Sequence, residues 1–251
     1  MDRDFRQGYL QIDFPTERFE SAPRLLLRSA ALFFSNLQFL AAVTLVVFLP
    51  GKLLLQFCLY LADVPTGGVL AYLLMDFTDL ILGALVIPAA MYGLIGRLRG
   101  GRVPALGECL RWGGRQWLRM FGYNLAVEIT IALYGALLIV PGVMAMVRLV
   151  FVSAIVAIEA DREPRPLARS SDLSKGHRWR IFFVLLPVMV IQLVFTFLVL
   201  GRVEGLLHSR IALAVGDALF SVGGQWMTAI ELLLYLGLIE AVKPAPAKRP
   251  R

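Results

Sequence analysis

The chain of 251 residues is 58% apolar and only 17% charged, whereas a soluble domain runs near about 45–50% and about 25%. A soluble fold of this length needs a polar exterior that such a composition cannot supply, so the bilayer is the expected solvent. The net charge of +7 does not point to nucleic acid, because the basic residues fall in short clusters between long apolar runs and form no single stripe with stacking aromatics.

Residues 1–22 mix charges with aromatics and read as a polar cytoplasmic segment; they lack the basic-then-apolar pattern of a cleaved signal. The membrane domain is expected over 23–241. A crossing takes roughly 20 apolar residues, and the runs that meet this lie at about 36–62, 68–95, 117–140, 143–160, 181–200 and 214–241. Pro50-Gly51-Lys52 interrupts the first, leaving open one kinked helix or a shorter span followed by an interfacial segment. Only Pro141-Gly142 separates the third from the fourth, which predicts a hairpin closed by a tight turn at that pair. The last residues, 242–251, are a basic, proline-rich tail expected to stay extended.

Lys and Arg assign the sides. Arg3, Arg6, Arg18, Arg24 and Arg28 precede the first span, and Arg97, Arg99, Arg102, Arg111 and Arg115 follow the second. A third cluster runs from Arg162 to Arg180, and the tail adds Lys243, Lys248, Arg249 and Arg251, whereas the opposite connections hold only Arg202 and Arg210. Short cytoplasmic loops hold the excess of positive charge, so both termini are expected in the cytoplasm of a bacterial inner membrane.

Those basic segments form a weak repeat. Pro23, Pro104 and Pro166 each open a mixed basic and apolar stretch, and Asn36, Trp117 and Trp179 follow them by the same interval. Proline suits the first turn of a helix, and apolar residues on one face with Arg on the other suit the membrane surface. The expected fold is therefore all-α: a polytopic bundle of about six transmembrane helices with three short cytoplasmic in-plane helices, arranged as a pseudo-threefold repeat.

The run Pro141, Gly142, Arg148, Phe151 and Glu159, then Pro166, Ser170, Ser171, Leu173, Lys175, Gly176, Trp179 and Arg180, resembles the signature stretch of the glycerophosphodiester phosphodiesterase membrane-domain family and related six-helix bacterial membrane proteins. The resemblance is sharpest over about 120–185. It implies a membrane module without the catalytic half, which would need a further barrel-sized segment with histidines and carboxylates at a metal. The histidines here are His177 and His208, expected on opposite sides of the membrane. No catalytic, cofactor or metal-binding residue carries over, and Ser153 and Ser170 have no partner base in the sequence.

Ionisable groups inside spans are costly and tend to face the bundle and find partners. Counting depth at 1.5 Å per residue places Lys52 level with Asp76 and Asp79, and Arg148 level with Asp217. Each set is expected to pair, either as a clamp between helices or as a transport site. Glu128 falls near the midplane beside Gln192, with which it is expected to hydrogen-bond, and Gln225 follows the flexible Gly223-Gly224. At the cytoplasmic surface, Lys175, Arg178 and Arg180 are candidates for contacts with anionic lipid headgroups, with Trp179 as interfacial anchor. Cys58 and Cys109 read as thiols too far apart to join. The leading functional expectation is a non-enzymatic module that organises inner-leaflet lipids or a protein partner, without cofactor. The alternative is a transporter of a small solute or lipid that uses the intramembrane Asp, Glu and Lys residues.

Overall fold

The computed structural model describes residues 21–65, 68–159, 165–206 and 210–242, with side chains placed except at 195–206 and 240–242. Residues 1–20, His208 and the basic tail lie outside the described residues, and so does the side chain of Arg202. Helix is the only regular structure among the described residues: α1 (Ala22–Ser35), α2 (Leu37–Leu61), α3 (Val69–Gly100), α4 (Leu106–Leu137), α5 (Ile139–Leu149), α6 (Val152–Ile158), α7 (Pro166–Ser174), α8 (Arg178–Leu206) and α9 (Arg210–Val242). Apolar runs of this length must satisfy their backbone groups internally in lipid, and the helix does so within one segment. Helices α2, α3, α4 and α9, and the α5–α6 unit, are long and apolar enough to cross a membrane, and α8 joined to α7 makes a sixth. The protein is an all-α polytopic bundle.

Pro50 lies inside α2, which runs unbroken through Gly51 and Lys52, so the first span is one helix. Proline opens α1 and α7 in their first turns, and α7 meets α8 at 100°. Asn36 ends α1, where its side-chain amide donates to the Leu32 carbonyl at 2.8 Å. The middle repeat departs from expectation, because α4 passes through Trp117 as one helix of 32 residues. The reason lies in packing: Gly113 is pressed against α3 so closely that a Cβ there would stand 2.3 Å from the Leu85 carbonyl oxygen. Trp117 then donates its ring N–H to the Ile81 carbonyl at 3.0 Å. The segment before Trp117 is thereby held along α3.

The hairpin between the third and fourth spans turns at Leu138, an extended residue at φ −162 and ψ 147, three positions earlier than expected. Pro141 falls in the first turn of α5, where its missing N–H would have no helical partner in any case. Proline here begins a helix instead of ending one. Gly142 touches the other arm, where an added Cβ would stand 2.8 Å from Gly135 Cα. The tip, Leu137 to Val140, is wholly apolar and exposed.

The fourth span is broken between α5 and α6. Helix α6 sits at the centre of the bundle, with Val152, Ala154, Ile155, Val156 and Ala157 all buried among α3, α4, α7 and α9. Helices α2 and α9 pack along their lengths, and Thr44, Phe48, Lys52 and Gln56 share the buried face of α2. Polar residues are thus at an apolar-to-apolar seam, where a soluble protein would place only hydrocarbon. That seam positions the site.

Candidate intramembrane polar site

Lys52 is 1% exposed, yet its ammonium lies between two carboxylates from two other helices. Asp79 of α3 is one ion-pair partner, and Asp217 of α9 is the other, with its Oδ2 2.5 Å from Lys52 Nζ. Asp79 is the more open of the two, at 41% side-chain exposure against 25% for Asp217. Three helices therefore meet at one cation, and the cluster holds more carboxylate than ammonium. Burying the Lys52 charge costs several kcal/mol, roughly, unless such partners are present.

The expected pairing of Lys52 with Asp79 is present, and Asp76, one turn away, is exposed. Arg148 and Asp217 do not pair. Asp217 is taken by Lys52, while Arg148 donates through Nε to Ser171 Oγ at 3.3 Å. Depth counting fails there because it does not say which helices are neighbours, and α7 packs directly on α5. Glu128 lies on an exposed face of α4. Its helix packs chiefly on α3, α5 and α6, whereas Gln192 of α8 lies beside α9, with its amide nitrogen 3.9 Å from where a Gly224 Cβ would stand. The two residues that share a depth sit on helices with different principal neighbours.

Further along the α2–α9 seam, Thr44, Gln56 and Gln225 are 0%, 6% and 5% exposed, and Thr44 Oγ1, Gln56 Oε1 and Gln225 Oε1 have no hydrogen-bond partner among the described residues. The contact of Lys52 with Asp217 sets the register of two helices that run in opposite directions. Eight residues back along α2 and eight forward along α9 lead to Thr44 and Gln225, so the two stand about 12 Å from the ion cluster at one level. An unpaired buried amide or hydroxyl costs about 1–3 kcal/mol.

A second polar node holds the break in the fourth span. Ser170 Oγ donates to the Arg148 carbonyl at 2.8 Å and accepts from the Phe151 N–H at 3.2 Å, so one hydroxyl stitches both ends of the broken helix. Glu231 of α9 accepts from the Ala154 N–H at 2.8 Å, acting as a cap supplied from another helix for the first turn of α6. Below it, Tyr235 donates its hydroxyl to Glu159 Oε1 at 2.6 Å, and Arg169 approaches Glu159 Oε2 at 4.0 Å. Phe151, Glu159, Arg148, Ser170 and Ser171 of the family-like run are gathered here, while Pro141 and Gly142 form the start of α5 and Lys175 and Gly176 the turn after α7. Glu231 and Tyr235 were not singled out in the sequence, where they lie within the last apolar run. The signal available was their spacing from Asp217 on one helix face.

At the α7–α8 corner Lys175 Nζ pairs with Asp172 Oδ1 at 2.6 Å. That hydrogen bond and charge hold the Asp172 carboxyl below its ordinary range. Lys175 is therefore partly neutralised as a headgroup ligand. Gly176 takes φ +81 to make the turn. Trp179 is 76% exposed and stacks on Phe183 with ring centroids 6.3 Å apart, next to Arg178 and Arg180. Cys58 and Cys109 are both free thiols. No protein-family profile, curated protein or solved structure matches the chain.

Proposed function

We propose that the protein is a carrier of the bacterial cytoplasmic membrane, with both termini in the cytoplasm, that moves a small polar solute or ion along the α2–α9 seam. The observation that carries this reading is the convergence of Lys52, Asp79 and Asp217 on a seam that also holds the unpaired Thr44, Gln56 and Gln225. A clamp between helices needs the ion pairs alone. Unpaired amides and hydroxyls in the interior of a membrane domain destabilise it unless a polar visitor or water meets them.

The second reading, a module that organises inner-leaflet lipid or a partner, draws on the exposed Trp179 beside Arg178 and Arg180. Aromatic and basic residues at such a corner suit anionic headgroups. The resemblance to the glycerophosphodiester phosphodiesterase membrane domain is compatible with either reading.

Solvent access separates them. In a background carrying Cys58→Ser and Cys109→Ala, Thr44→Cys and Ser221→Cys are exposed in intact vesicles to a charged, membrane-impermeant thiol reagent, with lipid-facing Leu73→Cys as control. The carrier reading expects both seam positions to label and Leu73→Cys to stay unlabelled. Protection of both seam positions would sink the carrier and leave the lipid module.

A further inference from the structure

The last helix carries a second pattern beneath the ion cluster. Asp217, Ser221, Gln225, Thr228, Glu231 and Tyr235 follow one another at steps of three or four residues, which places them on one face of α9. Gln225, Thr228, Glu231 and Tyr235 are buried. Five turns separate the first from the last, about 27 Å along the axis, close to the thickness of the hydrocarbon core, about 30 Å. Both ends are extended by other helices: Asp217 pairs with Lys52, itself in contact with Asp79, and Tyr235 leads to Glu159 and on to Arg169.

Every polar group on this face is a carboxyl, hydroxyl or amide, and neighbours a turn apart are about 5–6 Å from one another. One water bridges such a gap, since each of its hydrogen bonds spans about 2.8 Å. A metal cation needs about six oxygens around one point. This face offers them singly, and the space between Asp79 and Asp217 is filled by the Lys52 ammonium, which repels a second cation. A chain of single oxygens fits a proton.

We propose that the polar face of α9 conducts protons across the membrane between Asp217 and the Tyr235–Glu159 pair, a reading that rests on the seam being a transport path. A proton from the outer side joins the Asp217 carboxylate while Lys52 keeps Asp79 as its partner. It then moves by hydrogen-bond exchange through the Ser221 and Thr228 hydroxyls and intervening water, each of these oxygens accepting one proton as it releases another, while the Gln225 carbonyl oxygen accepts a hydrogen bond that holds a water in line. Glu231 takes it up, and Tyr235 passes it to Glu159 at the inner end. No bond other than O–H and water-borne links changes, nothing is oxidised or reduced, and one positive charge crosses per proton. The groups facing the chain from other helices are Lys52 and Asp79 at the outer end, with Asp76 a turn from Asp79, and Glu159 and Arg169 at the inner end.

The test uses the full chain in vesicles that hold a pH-sensitive dye, with valinomycin and a potassium gradient setting an interior-negative potential. The wild type is expected to acidify the interior. Asp217→Asn and Glu231→Gln are each expected to fall to the rate of protein-free vesicles, while Asp172→Asn, on the cytoplasmic surface, keeps the wild-type rate. Glu231→Gln retains an acceptor for the Ala154 N–H, so the cap on α6 survives, and elution as a single species checks each variant. Acidification no faster than in protein-free vesicles, a wild-type rate in either variant, or a flux that requires sodium overturns the proposal. Thiol labelling at Thr44→Cys without proton flux removes the proton and keeps the path, whereas absent labelling removes the path itself.

Discussion

Lys52 is the residue that ties α2, α3 and α9 together. Its ammonium is the shared partner of carboxylates from α3 and α9, so removing the charge strands two anions at once. Replacing it by an apolar side chain of similar length, Lys52→Met, is expected to cost about 3 kcal/mol, the low end for breaking a buried pair because both carboxylates keep some exposure. Adding Asp217→Asn should recover part of that loss. Thermal unfolding in detergent checks both, and a Lys52→Met midpoint equal to the wild type would show that the contact contributes nothing. Half of this cluster was legible in the sequence: Lys52 and Asp79 stand at matching depths on consecutive spans, and neighbours in sequence tend to pack. The role of Asp217 was not legible, because choosing between Lys52 and Arg148 requires knowing that α9 lies on α2 and that Arg148 is drawn to Ser171.

At the level of elements, close approach between helices explains where sequence reading of the spans held and where it slipped. Periodic apolar length placed each long helix, but the join at Trp117 was invisible, since its continuity depends on Gly113 lying against the Leu85 backbone. Gly113→Ala puts a methyl group 2.3 Å from that carbonyl oxygen, and forcing α3 and α4 apart is expected to cost about 1–3 kcal/mol. Gly114→Ala, which meets nothing within 4 Å, should be neutral or slightly stabilising through helix propensity. The pair of melting temperatures makes the comparison, with equal midpoints counting against tight α3–α4 packing. The break after Leu149 was equally hidden. Nothing local marks it, and it persists because Ser170 and Glu231, from elsewhere in the chain, satisfy the backbone groups it frees.

For the whole molecule, the distribution of Lys and Arg predicts that the residue 100–105 connection and the C-terminal end lie on one side. A fluorescent protein fused after Gly100 or at the C-terminus is expected to fold and fluoresce in the cytoplasm, and alkaline phosphatase at the same points to stay inactive. Active phosphatase at either point would reverse the orientation and, with it, the direction assigned to the α9 path. The all-α bundle was legible from composition and apolar length alone. The internal repeat was legible only in outline, as α1 is a helix separate from α2, α7 meets α8 at 100°, and the middle copy is fused to its own span.

The bare hydrocarbon tip joining α4 to α5 bears on how the chain is made. Leu137 to Val140 offers no charge, amide or hydroxyl side chain to the far side, so threading this pair of arms demands no transfer of hydrophilic side chains through the acyl region beyond those already within the arms. The two arms, with Gly142 seated against Gly135, form a unit that can enter the bilayer together, with α3, already in place ahead of them in the chain, as the main surface against which α4 packs.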